Sequence, residues 1–128
     1  MTRKVIEASG APKPVGPYSP AVQVGDYVYL SGQGGVDPAS GKFASDIKGQ
    51  TKQTLENLQA VLRGANLSMA DLFKVSVFLR NGSDFSAMNE VYKTFFPRDP
   101  PARTTIVTEL LFPEMLIEID AAAYARKD

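Results

Sequence analysis

Between Lys74 and Leu79 the chain alternates: Val75, Val77 and Leu79 point one way, Ser76 and Phe78 the other. A repeat of two marks a strand whose faces meet different surroundings. The same repeat runs from Leu116 to Tyr124, with Ile117, Ile119, Ala121 and Ala123 on one face and Leu116, Glu118, Asp120, Ala122 and Tyr124 on the other. Ala21 to Val24 and Tyr27 to Ser31 predict a hairpin around Gly25-Asp26. Two further short strands are predicted over Lys4 to Glu7 and Arg103 to Val107. Helical spacing replaces alternation in two segments. In the first, Ile47, Leu55, Leu58, Leu62 and Ala65 share one face, Ser45 and Asp46 are candidate caps, and Asn66 suits a left-handed stop. In the second, Ser83 is the expected cap of a helix carrying Phe85, Met88, Val91, Tyr92 and Phe95, which Pro97 ends. Tyr92, Phe95 and Phe96 read as core.

The intervening segments are turn chemistry. Pro12, Pro14, Pro17 and Pro20 preclude a helix and stiffen the loop before the hairpin. Gly34-Gly35, Asp37-Pro38 to Ser40-Gly41, and Asn81-Gly82 read as turns, and Pro113 lies in the loop before the last strand. Strands with only two helices among them predict an α+β fold with both helices on one face of the sheet. The helices should cover Ile117, Ile119, Ala121 and Ala123. Two helices cannot cover both faces. The second face mixes Glu118 and Asp120 with Leu116, Tyr124 and Phe78, and such a face is more often an oligomer surface than bare solvent. Sheets of several subunits are therefore expected to pack together, with Glu118 lining a cleft between them.

Length and charge narrow the class. At 128 residues the chain is expected to form a single domain over 1–128. Fourteen basic and fourteen acidic residues cancel, so no overall field draws nucleic acid or an anionic membrane. The absence of cysteine suits a reducing compartment, and no long apolar run or signal-peptide core is present. A soluble cytoplasmic protein is the expectation.

The chain also has no histidine. A thiolate nucleophile, an imidazole base, a Ser/His/Asp triad and a His/Cys zinc site are thereby excluded. Guanidinium, carboxylate, hydroxyl, amide and water remain. Arg103 heads an apolar, β-branched strand in Pro101-Ala102-Arg103-Thr104-Thr105-Ile106-Val107. Its planar fork matches a carboxylate or phosphate with two parallel hydrogen bonds, so it reads either as an anion clamp or as a structural arginine at a strand end. Glu118 reads as a proton handler or as half of an ion pair across a seam. Tyr18 is a pocket wall or a packed aromatic. Asn89 meets a ligand or braces a loop, and Gly32 permits a close backbone approach.

Five features stand in a telling order: Gly16-Pro17-Tyr18-Ser19-Pro20-Ala21-Val22, Ser31-Gly32-Gln33, Asn89, the arginine of Pro101-Ala102-Arg103, and Ile117-Glu118-Ile119-Asp120-Ala121. Together they resemble the Rid family of reactive intermediate deaminases, also known as the YjgF or L-PSP endoribonuclease family, from about Ile6 to Ala125. The resemblance implies a chorismate-mutase-like α+β subunit with a mixed sheet, assembled as a homotrimer with sites at subunit interfaces. It implies hydrolysis of 2-aminoacrylate and related enamines or imines, of the 2-iminobutanoate and 2-iminopropanoate type, to 2-oxo acids and ammonia. It implies no cofactor and no metal. By motif, Arg103 corresponds to the arginine that grips the substrate carboxylate and Glu118 to the carboxylate that handles the attacking water. Tyr18, Ser31, Gly32 and Asn89 fall at substrate-binding positions, as does Thr105, where many members carry cysteine. The chain departs from the pattern in a loop one residue shorter after Pro113 and in Asp120, where glutamate is common.

Such chemistry needs no covalent nucleophile, because a 2-imino acid is already electrophilic. The protein has to hold the carboxylate, aim water at C2 and move protons. A binding or regulatory module without turnover would need the same arginine but not the carboxylate. Ribonuclease action is poorly supported, since metal-free RNA cleavage ordinarily uses histidine and a basic surface.

Overall fold

The computed structural model describes residues 2–125. Its elements in chain order are β1 (Arg3–Ile6), β2 (Ala21–Val24), β3 (Tyr27–Gly34), α1 (Ile47–Gly64), β4 (Leu72–Leu79), α2 (Phe85–Phe95), β5 (Ala102–Val107) and β6 (Ile117–Tyr124). They form one six-stranded sheet in the order β1-β2-β3-β6-β4-β5. All neighbouring pairs are antiparallel except β4 and β5, which run parallel across the α2 crossover. The α+β architecture with a mixed sheet and two helices on one face is the one expected.

Local chemistry sets the helix ends. The Asp46 carboxylate accepts from the Gly49 N–H at 2.9 Å, so Asp46 rather than Ser45 caps α1. Asn66 takes φ 60°, and Leu67 N–H reaches Leu62 O at 2.9 Å, closing the helix as a left-handed stop does. Ser83 does not cap α2. It lies inside a single 3-10 turn, Gly82–Asp84, that runs directly into the helix, and Asp84 already has helical backbone, so no extended cap position exists. A second such turn, Met69–Asp71, precedes β4.

Leu55, Leu58 and Leu62 of α1 and Met88 of α2 are fully buried with Val75, Val77 and Leu79 of β4 and Ile117 and Ile119 of β6. No helix among the described residues covers the opposite face. Val5, Tyr29 and Ile106 are about half exposed there, beside an aromatic cluster in which Tyr27 meets Phe73 at 5.9 Å and Tyr124 at 5.4 Å. No helix among the described residues is long and apolar enough to cross a membrane.

Several strand ends differ from expectation: β4 starts two residues early at Leu72, β5 one early at Ala102 and β6 one late at Ile117. β1 starts and stops one residue early, pairing Arg3–Ile6 with β2. β3 continues three residues beyond Ser31, because a bulge between Leu30 and Gln33 keeps it paired with β6 through Gly34 opposite Glu118. Gly34 therefore ends the strand, and Gly35 alone belongs to the bend that follows. Gly35 passes so close to α1 that a Cβ would stand 2.7 Å from the Gln50 carbonyl oxygen.

Candidate active site

Glu118 lies on the open face of β6, opposite Gly34 on one side and Phe78 on the other. The β3 bulge places Gly32 directly against it. A Cβ at Gly32 would come 2.5 Å from Glu118 Oε2, so only glycine leaves the carboxylate its place. Burial raises the Glu118 pKa above the usual carboxylate range, and the neighbouring Asp120 charge adds to the rise. This is the direction a group needs if it is to take a proton from water near neutral pH and return it.

Tyr18 reaches the same pocket from the proline-braced loop. The loop fixes it locally: Tyr18 N–H donates to Gly16 O at 2.9 Å, and the Tyr18 hydroxyl accepts from Val15 N–H at 3.3 Å. Ser31 ties that loop to β3, its hydroxyl donating to Ser19 O at 2.6 Å and its N–H to Pro20 O at 2.9 Å. Ser31 thus touches the loop behind Tyr18 and does not line the Glu118 pocket.

Arg103 occupies β5, paired with the buried Val75 and on the helix side of the sheet. Three residues of α2 hold it. Its Nη1 donates to Asn89 Oδ1 at 2.8 Å, and its guanidinium carbon lies 4.7 Å from the Tyr92 ring centroid and 5.6 Å from that of Phe85. Positions 85, 89 and 92 share one face of the helix, so a single stripe forms the cradle. Burial raises the Tyr92 hydroxyl pKa, with the Arg103 charge opposing. No carboxylate among the described residues forms an ion pair with Arg103, which leaves a braced guanidinium with donors to spare. Thr105 follows two residues along the same face of β5, opposite Val77.

Within one protomer these residues form two separate groups. Tyr18, Gly32 and Glu118 line one pocket on the open face, whereas Arg103, Asn89 and Thr105 lie on the helix side. β4 stands between β6 and β5 as well. Sequence reading missed several residues that shape the first group. Phe43, Phe112 and Met115 line the pocket, and Gln33 is buried at its edge. It also missed the roles of Phe85 and Tyr92, whose spacing around Asn89 was the available signal.

Known proteins resemble this chain along most of its length. The sequence pattern of the family described as Endoribonuclease L-PSP matches residues 8–125. A RutC family protein of Pyrococcus horikoshii is 44% identical over 123 residues, covering 95% of this chain and 98% of that protein. The 2-iminobutanoate/2-iminopropanoate deaminase of Mus musculus is 40% identical over 124 residues, covering 96% and 92% respectively. The crystal structure of Escherichia coli TdcF with bound serine superposes with a TM-score of 0.90 at 37% identity, covering 94% of this chain and 98% of that one. With the motifs in place on this sheet and relatives of such identity along its length, the chain belongs to the Rid family, also called the YjgF or L-PSP family.

Proposed function

We propose that the protein is a homotrimeric, cytoplasmic deaminase of 2-imino acids whose active sites form between copies. Arg103, Asn89 and Thr105 of one copy would face Tyr18, Gly32 and Glu118 of the next. One observation carries this reading: a caged guanidinium with no carboxylate partner among the described residues and a half-buried carboxylate of raised pKa lie on opposite faces of one sheet. Each is half a site, and the uncovered apolar face supplies a surface for a second copy. The names of relatives support the activity, among them 2-iminobutanoate/2-iminopropanoate deaminases and a reactive intermediate deaminase.

In this mechanism Arg103 binds the substrate carboxylate with two parallel hydrogen bonds. Water, held by Glu118, attacks C2 of the protonated imine. A C–O bond forms as the C=N π pair moves to nitrogen, and the water proton passes to Glu118. Glu118 then delivers that proton to the amine, the C–N bond breaks, and the hydroxyl proton passes to Glu118 as the 2-oxo acid carbonyl forms, the departing ammonia taking it up. The sum is protonated imine plus water to 2-oxo acid plus ammonium. Ser31 acts from behind, holding the loop that carries Tyr18.

The test is release of ammonia and 2-oxo acid from 2-aminoacrylate generated by a serine dehydratase. At micromolar protein, conversion should exceed the spontaneous rate by at least about tenfold, a modest demand on one positioned acid-base group. Saturable binding of a 2-oxo acid with no acceleration would point instead to a sensing module.

A further inference from the structure

We infer that the Glu118 pocket selects imino acids bearing an apolar side chain of several carbons over the smallest ones, and that segment 110–116 with Phe43 is the selecting wall. The inference rests on the deaminase reading and adds the substrate class within it. Tyr18, Glu118, the exposed Lys13 and the buried Gln33 give the pocket its polar groups; Val36, Phe43, Leu111, Phe112 and Met115 form an apolar wall, and Val15 of the proline-braced loop borders the other side. Gly34 lets Met115 and Phe43 pack close over the strand. A Cβ there would stand 2.7 Å from Met115 Cε and 3.5 Å from Phe43 Cε1. Since Gly34 is the residue paired with Glu118, the apolar groups gather beside the carboxylate that would face C2. With the substrate carboxylate held by Arg103 outside this pocket, the C2 substituent points toward Phe43 and Met115.

Size decides which substituent fits. The cavity measures ≈ 100 Å³. One water takes about 30 Å³ and a cavity that admits benzene is about 150 Å³. An isobutyl group therefore covers more of the apolar lining than a methyl does.

The wall is held in advance of any ligand. Arg80 Nε donates to Met115 O at 2.7 Å and its Nη2 to Phe112 O at 2.8 Å. Gln50, buried in α1, donates to Glu114 O at 2.8 Å and accepts from Leu116 N–H at 2.8 Å. Arg80 has no carboxylate partner among the described residues, so these charge-assisted bonds serve the loop. A preformed wall spares the substrate the entropy of ordering it.

The imines of leucine and alanine, each generated in place by an amino acid oxidase, provide the test, alongside calorimetric affinities for 4-methyl-2-oxopentanoate and pyruvate. The leucine-derived imine should have the higher kcat/KM by about tenfold or more, the usual worth of a few methylenes in an apolar pocket. Phe43→Ala should lower that ratio about tenfold, and Val36→Trp, which fills the space, should reverse it. A wild-type ratio near one, or favouring alanine, overturns the inference, as does a ratio that neither substitution moves. Should neither imine turn over while 4-methyl-2-oxopentanoate binds about tenfold tighter than pyruvate, the selecting wall stands and the deaminase reading falls. Equal affinities without turnover overturn both.

Discussion

Glu118→Gln will lower turnover of an in situ generated 2-imino acid by about a hundredfold or more, the ordinary contribution of a positioned acid-base group. The amide keeps the shape of the carboxylate beside Gly32 but cannot accept a proton from water at neutral pH. Affinity for a stable 2-oxo acid should change little, because the carboxylate grip belongs to Arg103. The pH profile gives an independent readout. Because burial, then Asp120, raises the Glu118 pKa, the acid limb of kcat/KM should lie above the usual glutamate range. Asp120→Asn removes the nearby negative charge, so Glu118 loses its proton more readily and the limb moves to lower pH. Stability has the opposite sign from activity. A carboxyl whose folded pKa is raised favours the folded state while protonated and loses that contribution as pH rises through the folded value. Glu118→Gln should therefore raise the melting temperature at neutral pH and lose this advantage in acid. Full activity in Glu118→Gln together with its loss in Asp120→Asn would move the proton-handling role to Asp120.

Arg103→Lys will fold and lose roughly tenfold to more than a hundredfold in kcat/KM, the equivalent of about 1.5–3 kcal/mol for a charged hydrogen bond. Lysine keeps the charge but presents a single ammonium in place of the planar fork. It also gives up stacking between Phe85 and Tyr92 and the fixed bond to Asn89 Oδ1, so the cation is no longer aimed. Steady-state kinetics on the same imine, with circular dichroism to establish folding, would measure this. Activity within about twofold of wild type would mean that charge alone suffices.

Much of this fold was legible because alternation and helical spacing are side-chain patterns. The β6 repeat alone told which face the helices cover and which they leave open. Glycines carry no such pattern, so β3 was cut short at Ser31, and the bulge that seats Glu118 against Gly32 was invisible. Ser83 had the chemistry of a cap, but its backbone belongs to a tight turn continuous with α2. For the site, Arg103 and Glu118 could be named from residue type and motif. Their placement on opposite faces could not, because it depends on which strands pair and in what register. The supports escaped notice for a related reason. Arg80 and Gln50 act through backbone carbonyls and amides far away in sequence, and no local pattern announces such partners.

The claim that two copies build each site is tested most directly by mixing two inactive variants. Arg103→Ala and Glu118→Gln are unfolded together and refolded at equal amounts. In a random cyclic assembly, about one site in four then combines an intact Arg103 from one copy with an intact Glu118 from its neighbour. The account predicts recovery of about a quarter of wild-type turnover per site, from variants that are each inactive as homo-oligomers. No recovery, with mixed oligomers shown to have formed, would contradict it and require both residues to act within one chain.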